Sequence, residues 1–198
     1  QDNSLFPHYN VLENIQFGNS LIDSSITTKK NQDKINPFDF GKTKFDVIIG
    51  NPPYMATEHM KQFTPLELPL YKKHYSSSYK QFDKYFLFIE RGLDLLKPKG
   101  YFGYIVPSKF TKVGAGKKLR ELLISNNSVE QIISFGANQV FHDKTTYTCL
   151  LILKKDFVIE TREKLNLSYL IILCPTITLI ISIFVQPQAI FMEYFLSI

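Results

Sequence analysis

Cysteine is scarce in this chain of 198 residues: only Cys149 and Cys174 occur, each in an apolar run with no Cys or His at metal-ligand spacing. That leaves no basis for a disulfide scaffold or a cysteine-built metal centre, no metal is expected, and a reduced, cytoplasmic protein is the simplest account. A basic-then-apolar leader is also missing. The chain opens Gln1-Asp2-Asn3-Ser4 without an initiator methionine, so the expectation is that it begins inside something larger. Charge is nearly absent from one region, since from Leu165 onward Glu193 is the only charged residue. Residues 169–185 are almost entirely apolar with Pro175 among them, at the short end of what spans a bilayer. A membrane is therefore not an expected partner. Residues 156–198 are expected to form an apolar, aggregation-prone tail that is not part of the fold.

What is present is ordinary for a globular domain: 44% apolar residues, a net charge of +5 and a pI near 9.0. The basic balance suits a polyanionic partner and equally suits a lysine-rich solubility device. The informative stretch is Phe45-Asp46-Val47-Ile48-Ile49-Gly50-Asn51-Pro52-Pro53-Tyr54. Its first half reads as a strand buried on both faces. At Asn51 the pattern stops. Two prolines remove two backbone donors and fix two φ angles, which holds the carbonyls and the Asn51 amide in one arrangement. A planar group bearing an amino substituent would match this set. The Asn51 side-chain oxygen and the Pro52 carbonyl could accept both amine hydrogens while the Tyr54 ring stacks on the attached ring. Acceptors placed on those hydrogens as the nitrogen becomes tetrahedral favour the transition state over the ground state. A strand ending in a proline turn under a surface tyrosine stays open as the alternative.

Elsewhere, residues 15–17 read as a short strand ending at a Gly18-Asn19 turn, and residues 24–44 as a connecting loop with room for a helical turn. Residues 55–78 show no sustained period. Lys61, Lys72, Lys73, His74 and Lys80 interleave there with Tyr71, Tyr75 and Tyr79, which fits either a solvated loop or a flap tracking a nucleic acid backbone. Phe82, Tyr85, Phe86, Ile89, Leu93 and Leu96 recur at helical spacing over residues 81–96. A strand follows at residues 101–106, then Pro107, a Gly114-Ala115-Gly116 loop and a helix carrying Lys117, Lys118 and Arg120 at its start. Two strands, at residues 129–135 and 145–153, flank an aromatic-led loop at Phe141. Alternating strands and helices imply an α/β fold with a mostly parallel sheet, and the last two strands imply an antiparallel hairpin at one side. The ligand crevice is expected at the carboxyl ends of the strands.

Asp46 to Tyr54 resembles the catalytic motif of amino-group methyltransferases that use S-adenosylmethionine, most closely the adenine-specific DNA methyltransferases of restriction-modification systems. Enzymes that methylate a glutamine amide in release factors, or guanine in RNA, are similar at the same four residues. Two further stretches resemble the DNA enzymes. Ile15 to Ile22 is similar to the strand and turn that border the cofactor adenine, which implies that Asn19 hydrogen-bonds that adenine and Ser20 lines its pocket. Phe141 to Lys144, between a strand and a closing hairpin strand, is similar to the bifunctional restriction-modification enzymes. The resemblance implies a partial Rossmann-like methyltransferase fold over residues 1–155. It assigns catalysis to Asn51, Pro52, Pro53 and Tyr54, the target base to Tyr54, Phe141 and Lys144, and the cofactor to Asn19, Ser20, Asn51 and Pro53. The implied partner is double-stranded DNA with a flipped adenine. No Gly-x-Gly opening a helix precedes Asn19, and no segment reads a DNA sequence. Amino-terminal, nuclease or target-recognition segments of a larger protein are therefore expected elsewhere. An inactive remnant that keeps the fold is the alternative from another class.

Overall fold

The computed structural model describes residues 15–135 and 147–155. The expectations for Phe141, Lys144 and the tail at 156–198 lie outside the described residues. Helices and strands alternate: α1 Lys29–Ile35, β1 Phe45–Gly50, α2 Thr57–Phe63, α3 Leu68–His74, α4 Lys84–Leu95, β2 Leu96–Pro107, α5 Lys117–Ser125, β3 Val129–Ser134 and β4 Thr148–Lys154. The four strands form one sheet in the order β1-β2-β4-β3. β1 and β2 run parallel, joined by the crossover that contains α4. β4 runs antiparallel to β2 and to β3, so it sits between strands of the opposite direction, and the sheet is mixed.

α4 is the helix that the apolar periodicity announced, and it is buried beyond its stripe. Tyr85, Phe86, Leu87, Phe88 and Ile89 are all buried in succession. Its axis comes close to the sheet at Gly92, where a Cβ would stand 2.3 Å from the Phe102 ring of β2. Only glycine allows that approach. Because β1 and β2 are parallel, with Gly50 opposite Tyr104, both strands deliver their carboxyl ends to the same edge of the sheet.

Four expectations differ from the structure. The expected antiparallel pair β3–β4 is present, but the sheet is not mostly parallel: among the described residues one pairing is parallel and two are antiparallel, because β4 inserts between β2 and β3. β1 is not buried on both faces: Phe45 and Ile48 are covered, while Val47 is 43% and Ile49 41% exposed. Among the described residues β1 pairs with one strand only. Residues 15–17 form no strand, and Phe17 is 92% exposed; the nearest ladder contact is a bridge between Asn19 and Pro37. Residues 55–78 contain α2 and α3, each of seven residues, too short to show a sustained period in the sequence. Tyr71 and Tyr75 are therefore core residues and not stacking platforms. Their buried hydroxyls are satisfied by donating to Glu67 Oε2 at 2.7 Å and to the Leu21 carbonyl at 2.6 Å.

Candidate active site

The turn Asn51-Pro52-Pro53-Tyr54 leaves β1 at its carboxyl end. Pro52 is buried, and Asn51, Pro53 and Tyr54 are half-buried. Gly50, the last strand residue, lies under the Tyr104 ring, and a Cβ there would approach it to 3.0 Å. The Tyr54 ring is not a surface cap. It meets Tyr85 edge to face with centroids 5.9 Å apart, and its hydroxyl turns inward. That hydroxyl lies 2.6 Å from Asn51 Oδ1 and 2.7 Å from the Ile105 carbonyl, and it can donate to either. It carries a single hydrogen, so it serves one of the two at a time. Burial pushes its pKa well above the ordinary tyrosine value, with the neighbouring Cys149 and Asp83 adding to the shift, so the proton stays on the oxygen. Tyr85, likewise raised by burial, donates to the Pro107 carbonyl at 2.9 Å. Cys149 is buried, and its thiol is pushed up to about 12 by that burial. It is a packing residue with no nucleophilic character at neutral pH.

The segment after the turn is clamped to the start of α4. Met55 N–H donates to Asp83 Oδ1 at 2.8 Å, Lys84 N–H donates to the Met55 carbonyl at 2.9 Å, and the Thr57 hydroxyl donates to the Phe82 carbonyl at 2.7 Å. Asp83 Oδ2 accepts Lys109 Nζ at 2.7 Å. Beside this clamp opens a cleft of about 530 Å³, lined by Ala56, Lys80, Phe82, Asp83, Lys109 and Val113 among others. Asp83, Tyr85 and Lys109 are site residues that the sequence reading left unassigned. Tyr85 was hidden in an apolar stripe. The only signal for Asp83 was its place just ahead of a helix, where a cap is expected, yet its carboxylate makes no bond to the amides of α4, and only its backbone carbonyl accepts the Phe86 N–H.

Asn19 is linked to Lys84, at the start of α4, through a series of side chains. Asn19 Nδ2 lies 3.4 Å from the Tyr71 hydroxyl, which bonds Glu67; Glu67 in turn pairs with Lys84 at 3.2 Å. Asn19 Oδ1 accepts the Leu21 N–H at 3.2 Å, and Ser20 is buried, with its carbonyl accepting Arg91 Nε at 3.3 Å. The described residues at this position thus form a braced turn whose amide is engaged within the chain. The basic residues opening α5 do not join the site: Lys117 and Lys118 pair with Glu121, and Arg120 donates to the Phe110 and Val113 carbonyls.

A family model described as Eco57I restriction-modification methylase matches residues 2–141. The chain is 62% identical over 144 residues to the type II restriction enzyme and methyltransferase RM.Eco57I of Escherichia coli, covering 72% of this chain and 14% of that protein. It is 34% identical over 112 residues to the type II methyltransferase M.BstVI of Geobacillus stearothermophilus, covering 56% of this chain and 19% of that one. Among solved structures, a putative class I S-adenosylmethionine-dependent methyltransferase from Listeria monocytogenes aligns with a TM-score of 0.49 at 19% identity, over 76% of this chain and 44% of that one. The matched stretches thus span less than half the length of each of these proteins, and less than a fifth of the two restriction-modification relatives.

Proposed function

We propose, because this chain belongs to the Eco57I restriction-modification methylase family, that it carries the amine-activating part of an adenine-specific DNA methyltransferase. The reading rests on one arrangement above all: the Asn51 amide and the Pro52 carbonyl at the carboxyl end of β1, beside an aromatic ring that is itself hydrogen-bonded to Asn51. When bound, S-adenosylmethionine supplies an electrophilic methyl group. The described residues fit that cofactor in part: Asn51 and Pro53 at the turn are half-buried, whereas Asn19 Oδ1 is already engaged with Leu21.

On this reading the chain's own residues handle the acceptor. Asn51 Oδ1 and the Pro52 carbonyl take the two hydrogens of the adenine 6-amino group and draw its lone pair out of conjugation as the nitrogen pyramidalises. Pro52 and Pro53 keep that pair of acceptors in place without an entropic cost at the moment of reaction. The Tyr54 ring bounds one face of the base, with Phe141 assigned to the other and Lys144 beside it. Asn19, Ser20 and Pro53 are assigned to the cofactor side. Adenine leaves the duplex to reach this depth, so the partner is DNA with a flipped base, and the setting is the cytoplasm. Amino-terminal, nuclease or target-recognition segments are assigned on this reading to a larger protein of which this chain is a part; the matched stretch covers 14% of RM.Eco57I.

The test is transfer of labelled methyl from S-adenosylmethionine to DNA, with nucleoside analysis for 6-methyladenine and calorimetric cofactor binding alongside. Asn51→Ala is expected to lower transfer by about 100-fold or more, with cofactor affinity nearly unchanged. Weakened cofactor binding with transfer retained, or methyl arriving on peptide amides, would overturn the assignment.

A further inference from the structure

A buried carboxylate stands directly behind the turn and has no part in the acceptor chemistry above. Asp83 is 5% exposed. One of its oxygens holds the N–H of Met55, the residue that follows Tyr54, and the other holds the Lys109 ammonium. The near end of the turn is fixed by β1, and Asp83 fixes the far end. The backbone bridge between Ala56 and Asp83 and the Lys84 N–H on the Met55 carbonyl close the same joint from the other side. A backbone carbonyl would suffice to hold one amide. A charge taken out of water needs a counter-charge, and a feature this costly calls for a role that a neutral group cannot fill.

Lys109 shows what that role is. It lies just beyond β2, two residues after Pro107, and the carbonyls of Ile105 and Pro107 receive the hydroxyls of Tyr54 and Tyr85. The Asp83–Lys109 pair therefore ties the segment after β1 to the segment after β2, across the cleft that opens beside the turn. The turn that carries Asn51, Pro52 and the Tyr54 ring is thus held at its far end from both sides, by Asp83 on Met55 and by the Ile105 carbonyl on the Tyr54 hydroxyl. Lys109 is half-exposed on the cleft side, so the pair sits at the edge of the site and is not sealed in the core.

We propose that Asp83 and Lys109 are a positioning pair for the amine-acceptor turn, setting the spacing between its two acceptors and the aromatic face against which the base rests. The inference rests on the amine-acceptor reading of Asn51 and Pro52, and the experiment separates the two. Fluorescence anisotropy measures binding of a short oligodeoxyadenylate and of the same oligomer built from purine deoxyriboside, which lacks only the 6-amino group. The unmodified chain is expected to prefer the adenine oligomer about tenfold, the scale of one to two hydrogen bonds. Asp83→Ala should reduce that preference to about twofold or less while binding of the amine-free oligomer changes little. Lys109→Met should fall between the two, and Lys109→Arg, which restores a cation, should recover the preference.

A merely structural role would move both oligomers together and leave their ratio intact. Should Asp83→Ala fail to fold by circular dichroism, the half-exposed Lys109 variants decide the matter by the same ratio. A full tenfold preference in Lys109→Met and in any folded Asp83→Ala overturns the positioning pair. No preference in the unmodified chain overturns the amine-acceptor reading, and the pair falls with it.

Discussion

β1 and β4 are both short apolar strands of one sheet, and they live in different surroundings. β4 lies between β2 and β3 and buries Thr148, Cys149, Leu150, Leu151 and Leu153. β1 leaves Val47 and Ile49 open and has β2 as its strand neighbour among the described residues. Burial is thus decided by what flanks a strand and not by its own composition. The site sits on the less protected of the two. Its order comes from cross-links, with Tyr54 tied to the Ile105 carbonyl, Met55 to Asp83 and Asp83 to Lys109, and not from a place at the centre of the sheet.

That contrast can be broken or sharpened by substitution, with stability read from denaturant unfolding. Leu151→Ala in β4 should cost most, about 3 kcal/mol, because the residue is wholly buried and its neighbours come from two strands. Gly92→Ala should follow at about 1–2 kcal/mol, where the new methyl meets the Phe102 ring and the gain in helix propensity offsets only part of the strain. Tyr54→Phe removes one hydroxyl from between two acceptors and should cost about 1 kcal/mol. Ile49→Thr on the open face of β1 should stay within about 0.5 kcal/mol. Equal costs at Ile49 and Leu151 would mean that β1 is covered in solution and would remove the distinction.

Much of this architecture was legible in the residues. The helical spacing of Tyr85, Phe86, Ile89 and Leu93 located α4, and the two prolines after Gly50 marked the end of β1, because periodicity and proline geometry are local properties. The site was legible only as far as its local part. Asn51 to Tyr54 announced themselves in a row. Asp83 and Lys109 are 26 residues apart in sequence, and their meeting follows from the β1–α4–β2 crossover. The exposure of Val47 and the burial of Tyr71 and Tyr75 failed to show for the same reason. A β-branched residue reads as core, and a tyrosine between lysines reads as surface, until the neighbouring element is known. Asn19 stands between these cases. Its turn was recognisable, but the commitment of its amide oxygen to Leu21 was not.

The inward-facing hydroxyl of Tyr54 has a consequence for how a donor can arrive at Asn51. With one hydrogen and two oxygens in reach, the phenol leaves one of the two without its hydrogen at any moment. A donor landing on Asn51 Oδ1 does not break into a closed network, because the phenol hydrogen can swing to the Ile105 carbonyl and the number of bonds rises by one. The turn is thus held firmly and yet keeps an opening, and entry there exchanges partners without first losing one.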